Sequence, residues 1–140
     1  MSTLSFVALD VETANNNQTS ICQIGYVIVN NGQIIGEKCF LVQPPGNEYE
    51  ARHSCIHGID ALQTRNQPTF PEIWNRIEPD LTNRLLVIHN ASFDISVLNA
   101  TLDYYGISKP CFQVECTYRK TGLNLKSLAE SFQIEMHKHH

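Results

Sequence analysis

Residues 4–13 read Leu4-Ser5-Phe6-Val7-Ala8-Leu9-Asp10-Val11-Glu12-Thr13. The largely apolar run 4–9 has the make-up of a buried strand, and two acids stand at its carboxyl end. In an extended chain, residues i and i+2 point to the same side. Asp10 and Glu12 are therefore expected to present two carboxylates together, with Val11 turned the other way. Two like charges beside a core are costly unless something neutralises them. A hard cation does so, and Mg²⁺ commonly takes one or two carboxylates plus water and substrate phosphate. A strand end fraying into solvent with two harmless acids would read the same in this stretch alone.

Working outward, the polar stretch Ala14 to Ser20 reads as a loop. ICQIGYVIV (21–29) and QIIGEKCFLV (33–42) follow as two strands, and Asn31-Gly32 between them is a hairpin signal because both residues tolerate positive φ. Pro44-Pro45-Gly46 ends the third strand and opens a long connection to about residue 67. Phe70, Ile73, Trp74, Ile77 and Leu81 recur at helical spacing, with Pro71 near the first turn. RLLVIH (84–89) predicts a fourth strand, and a helix from about Ser92 to Tyr105 ends at Gly106. A short fifth strand falls near Phe112–Val114. A last helix starts after Asn124, with Leu125, Leu128, Ala129 and Phe132 on one face. This order describes an α/β domain with a mixed five-stranded sheet covered by helices, its second strand antiparallel to the others. Order alone does not name the fold.

The second chemical signal is His89-Asn90-Ala91-Ser92-Phe93-Asp94. It places Asp94 in the first turn of a helix that begins at the carboxyl edge of the sheet, where α/β proteins bind ligands. Asp94 answering the helix dipole, and Asn90 or Ser92 serving as a cap, are the plainer roles for these residues.

Composition sets the frame. The chain has 140 residues, 42% hydrophobic and 17% charged, which suits one packed domain and not a disordered one. No run approaches the roughly 18 apolar residues of a membrane span, and the N-terminus lacks the pattern of a secretory signal. The five cysteines show no CxxC spacing, so neither a zinc site nor a redox motif is indicated. Their odd number favours free thiols and a cytoplasmic setting. A net charge of −4 argues only weakly against a nucleic-acid partner, because bound divalent cations supply positive field locally.

Taken together, these stretches resemble a known family. ALDVETAN (8–15) with ICQIG (21–25) resembles the first motif and second strand of the DEDDh exonucleases, and is similar to the proofreading epsilon subunit of bacterial DNA polymerase III. VIHNASFD (87–94) resembles the second motif. HGI (57–59) with PTFPEI (68–73) resembles the substrate-side loop and following helix, and LNLKSLAESFQIE (123–135) the approach to the third motif. The resemblance implies a ribonuclease H-like fold and removal of nucleotides from a 3′ end, most readily of single-stranded DNA, with RNA left open. It implies two divalent ions, Mg²⁺ or Mn²⁺, with Asp10, Glu12 and Asp94 as ligands. It places Thr13, Ala14, His57, Asn90 and Phe93 near the terminal nucleotide. A DNA polymerase is an implied partner.

The family's third motif is a histidine followed five residues later by a fourth acid. In Met136-His137-Lys138-His139-His140 the resemblance makes His140 the general base, and the acid and its helix fall beyond residue 140. The expectation is therefore an exonuclease domain over 1–140, C-terminally incomplete and impaired in hydrolysis because an incomplete site holds metal poorly. The alternative is a non-catalytic nucleic-acid or polymerase-binding module that keeps the fold. Among other residues, His57 can equally be a locally packed loop histidine. His53 carries no usable signal, and His89 is expected to be structural. Trp74 is expected to pack in the core, and Arg119-Lys120 is too short a basic patch to indicate nucleic acid.

Overall fold

Asn31 and Gly32 adopt left-handed φ angles of 52° and 77°, the pair of positive values that a two-residue hairpin turn requires. They join β2 (Ile21–Asn30) to β3 (Gln33–Leu41), and β1 (Phe6–Thr13) lies antiparallel along the other edge of β2. The computed structural model describes residues 5–88, 91–110 and 113–116, with Ala91, Ser92, Glu115 and Cys116 as backbone only. Beyond β1 come β4 (Leu85–Ile88) and β5 (Gln113–Cys116), both parallel to it. The order β3-β2-β1-β4-β5 makes β2 the one antiparallel strand, as expected from the sequence. The fifth strand sits one to two residues later than its composition suggested. The expected final helix lies outside the described residues.

One face of the sheet carries most of the core. Val7, Leu9 and Val11 of β1, Ile24 and Tyr26 of β2, and Leu86 and Ile88 of β4 form one buried cluster. Helix α3 (Phe70–Leu81) adds Phe70, Ile73, Trp74, Ile77 and Leu81, the stripe its periodicity predicted. Full burial of each such side chain contributes roughly 1.5–3 kcal/mol, so this layer is the main driver of the fold. Trp74 stacks on Phe70 with ring centroids 5.7 Å apart and is a packing residue, as expected. Asp80 ties α3 to the sheet, accepting from Tyr26 Oη at 2.7 Å and Lys38 Nζ at 2.8 Å. Helix α4 (Ala91–Tyr104) buries Val97, Leu98 and Leu102 against the same cluster. It is followed by Gly106 at φ 66°.

The opposite face is smaller. Phe6 and Ala8 of β1 join Val27, Val29 and Val87 there. By strand alternation, Asp10 and Glu12 continue the Phe6–Ala8 row while Val11 enters the main core.

The segment after Pro44 departs from the sequence reading. Instead of an unstructured connection it holds a 3₁₀ turn (Pro45–Asn47) and two short helices, α1 (Ala51–His57) and α2 (Ala61–Thr64). Neither carries an apolar stripe. In α1 only His57 is buried. Local caps set their ends: Gly58, at φ 77°, donates its N–H to the Ser54 carbonyl, and Asp60 accepts from the Gln63 N–H at 3.0 Å. Among the described residues no helix is long and apolar enough to cross a membrane, and Cys22, Cys39 and Cys55 are free thiols.

Candidate active site

The pairing of β1 with β4 runs through Val7↔Leu86 and Ala8↔Val87. Asp10, Glu12 and Thr13 therefore lie further along β1 than this parallel register, at the carboxyl edge of the sheet. Chain order brings α4 to the same edge directly after β4, with Asp94 in its first turn. Asp94 is 6% exposed, while Asp10 and Glu12 are half-buried.

The electrostatics tie the three acids together. Burial, and then Asp10 beside it, hold Glu12 up at about 7. Burial, then Asp10, then Glu12 raise Asp94 to about 8, against a backbone hydrogen bond at Val11 that pulls it down. Desolvation leads in both cases, and like-charge repulsion adds to it. Carboxylates that sense one another in this way share one site, although they come from a strand and from a helix some 80 residues further along the chain.

The donor set is all oxygen and anionic, which suits a hard divalent ion such as Mg²⁺ or Mn²⁺. Among the described residues no three His, Cys, Asp or Glu side chains form a ready metal cage. Mg²⁺ does not need one, since it keeps several waters and fills its shell with substrate phosphate. The residues present fit such an ion, with water and substrate completing its coordination.

Downstream of the acids the backbone is held on every side. The register of β1 against β2 shifts between Glu12 and Thr13, so the strand kinks where the acids end. Thr13 and Ala14 are both buried. The Ala14 N–H donates to the Ser20 carbonyl at 2.8 Å, and its own carbonyl accepts from the Glu50 N–H at 3.0 Å. The Thr13 carbonyl meets two imidazoles of α1: His57 Nε2 at 2.9 Å and His53 Nδ1 at 3.1 Å. Because the Ile59 N–H donates to His57 Nδ1 at 3.0 Å, the proton of His57 sits on Nε2 and is donated to Thr13. Burial pushes the His57 pKa down, and the Thr13 carbonyl opposes it. Both ring nitrogens of His57 are thus engaged within the chain.

Of the residues expected at the site, the structure gathers Asp10, Glu12, Asp94, Thr13, Ala14 and His57 around the end of β1. Phe93, next to Asp94, is 44% exposed. Asn90, His89 and His140 lie outside the described residues. His53 escaped the sequence reading. Its signal was the four-residue spacing to His57, which puts both rings on one face once α1 is known to be a helix. A cleft of about 610 Å³ opens beside the 14–20 loop, lined by Asn15, Asn17, Glu48, Glu50 and Tyr104, and none of the three acids lines it.

Known proteins share this architecture. The DNA polymerase III subunit epsilon of Buchnera aphidicola subsp. Acyrthosiphon pisum is 34% identical over 104 residues, covering 69% of this chain and 44% of that protein. An epsilon-like protein of Rhodobacter capsulatus is 33% identical over 99 residues, covering 68% of this chain and 14% of that protein. The chain thus spans less than half the length of these relatives. Among solved structures, exonuclease X in complex with 5′ overhanging duplex DNA superposes with a TM-score of 0.61 at 26% identity, over 79% of this chain and 58% of that one. The nuclease domain of 3′hExo, a DEDDh family member bound to rAMP, shares the fold with a TM-score of 0.61 at 14% identity, over 79% and 64%. Residues 7–140 match the family model RNase T, described as Exonuclease, and the chain belongs to that exonuclease family.

Proposed function

We propose that this chain is a 3′→5′ exonuclease domain that hydrolyses the terminal phosphodiester bond of DNA and releases mononucleotides, with RNA as the lesser alternative. One observation carries the reading: Asp10 and Glu12 on β1 and Asp94 on α4 stand at the carboxyl edge of the sheet, where Asp10 adds to burial in raising Glu12, and both add to it in raising Asp94. A scaffold that only binds nucleic acid has no use for three repelling acids, two of them half-buried and one buried. Exonuclease relatives and the DNA complex of exonuclease X support the substrate class.

Asp10, Glu12 and Asp94 would hold two divalent ions. When bound, such ions stabilise the attacking and leaving oxygens of an in-line displacement. The chain supplies the rest. Its acids fix where positive charge sits, and the buried Thr13–Ala14 backbone gives the 3′-terminal nucleotide a rigid floor. The exposed ring of Phe93 offers a face for the terminal base. His140 takes the proton of the attacking water, the role its place in the third motif implies. His57 serves the terminal nucleotide through Thr13, whose carbonyl it holds. A DNA polymerase remains the partner that the epsilon relatives suggest.

The test is nucleotide release from 3′-labelled single-stranded DNA with Mg²⁺ or Mn²⁺. It is run on this chain and on the longest reading frame that contains it, each beside its Asp10→Asn variant. Release that requires the ion and Asp10 in either form supports the reading. DNA binding with no release from either form makes the non-catalytic module the better account.

A further inference from the structure

Among the described residues, His53 is the imidazole at this edge of the sheet to which the exonuclease reading gives no task. One ring nitrogen, Nδ1, lies 3.1 Å from the Thr13 carbonyl oxygen and 3.4 Å from Thr13 Oγ1. The other, Nε2, lies 3.0 Å from Asn16 Oδ1. The ring therefore lies between two acceptors of the loop that leaves the acids, the Thr13 carbonyl and the Asn16 amide oxygen, and a neutral imidazole donates its single N–H to one of them at a time. Neighbours on the same segment reinforce it: Glu50 Oε1 accepts from the Asn16 N–H at 3.1 Å, and Arg52 Nη2 donates to Asn16 Oδ1 at 3.2 Å. The span starts at the register shift between Glu12 and Thr13, where Thr13 makes the last pairing of β1 with β2, opposite Ile21.

We infer that His53 is a positioning residue that fixes the Thr13–Asn16 backbone, and with it the seat of the 3′-terminal nucleotide. The inference rests on the proposed 3′→5′ reading for its substrate and on the hydrogen bonds of this structure for its geometry. His57 already anchors the Thr13 carbonyl from the buried side. His53 adds a second imidazole at the Thr13 carbonyl and reaches on to Asn16, beside the hydrogen bonds that Glu50 makes to Ala14 and Asn16.

Two substitutions separate anchoring from packing. His53→Phe keeps a ring and removes both nitrogens, while His53→Asn places an amide nitrogen close to the position of Nδ1 and restores the Thr13 contact. Thermal midpoints, hydrogen exchange at the Ala14, Asn15 and Asn16 amides, and steady-state nucleotide release are measured for each. The expected result is an unchanged midpoint, faster exchange at those amides in His53→Phe, and a roughly tenfold fall in kcat/KM, mostly through KM, as misplacement of a positioned substrate implies. His53→Asn should return both readouts most of the way to the parent. If His53→Phe matches the parent in exchange and kinetics, or if His53→Asn is as impaired as His53→Phe, the inference is wrong. Should neither this chain nor the longest reading frame that contains it release nucleotides, it is the exonuclease reading that fails, and the exchange data alone still decide the anchor.

Discussion

His57 and Thr13 meet at 2.9 Å between Nε2 and a backbone carbonyl, although 44 residues separate them. The bond joins the end of a seven-residue helix to the residue after the second acid of β1. It explains why a histidine is buried at a place where the sequence shows no core pattern. With Nδ1 accepting from Ile59, the ring satisfies two buried backbone groups at once.

Replacing His57 by Ala should therefore destabilise the chain by about 2–4 kcal/mol, combining a cavity with an unpaired Ile59 N–H and a Thr13 carbonyl left to His53 alone. Denaturant unfolding measures this directly. A cost below about 0.5 kcal/mol would show that the ring is dispensable to the fold.

Asp94 and Glu12 predict an unusual pH dependence for the metal-free protein. Both carboxyls are held above their unfolded values, to about 8 and about 7. They therefore keep their protons in the folded state through a window in which the unfolded chain has lost them. The stability this provides is fully present below the unfolded carboxylate range near 4 and is lost as pH rises through 7 and then 8. Thermal midpoints taken with a chelator should fall between pH 5 and pH 8.5. A flat profile or a rise would contradict the strained-acid description.

Relief of the same strain gives the next prediction. Asp94→Asn keeps the shape and removes the charge, so the metal-free midpoint at pH 8.5 should rise by roughly 3–5 °C, with much less change at pH 5. The same variant should lose nucleotide release by about 100-fold or more, because a ligand to the proposed ions is gone. Stability gained together with activity lost is the pattern of a site built for function.

Added Mn²⁺ should reverse the pH trend. Ligand carboxyls must give up their protons to bind, so the shift in midpoint per millimolar Mn²⁺ should grow from pH 5.5 to pH 8 and vanish in Asp10→Asn. Calorimetry in two buffers of different ionisation heat would show the released protons.

Much of this was legible beforehand, and the reasons differ by element. The hairpin could be read because Asn31-Gly32 meets a strict backbone requirement, and α3 because its five core residues keep a helical period. Asp10 and Glu12 were legible because alternation in a strand is geometry, and Asp94 because a helix after a central strand has one edge at which to begin. The α1–α2 segment was not legible. Its helices owe their stability to caps and to hydrogen bonds made outside themselves, α1 with the 13–16 loop and α2 with Asn47 and Tyr49, and helix propensity leaves no trace of such contacts. The pairing of His53 with Thr13 was hidden for the same reason, since a contact across 40 residues has no local signature.

The sheet order has a kinetic consequence. Strands β1, β2 and β3 are neighbours in sequence and form a meander whose loops close quickly, whereas β4 reaches β1 only after some 70 residues of intervening chain. Long-range parallel pairing is the slow event in such a topology. Glu12 should thus be in place early but still solvated, without the burial that raises it most, until β4 docks and α4 delivers Asp94. The coupled titration of the acids is then a clock for the last stage of folding. A pH-jump refolding experiment should find proton uptake arriving with that slow phase rather than with the hairpin.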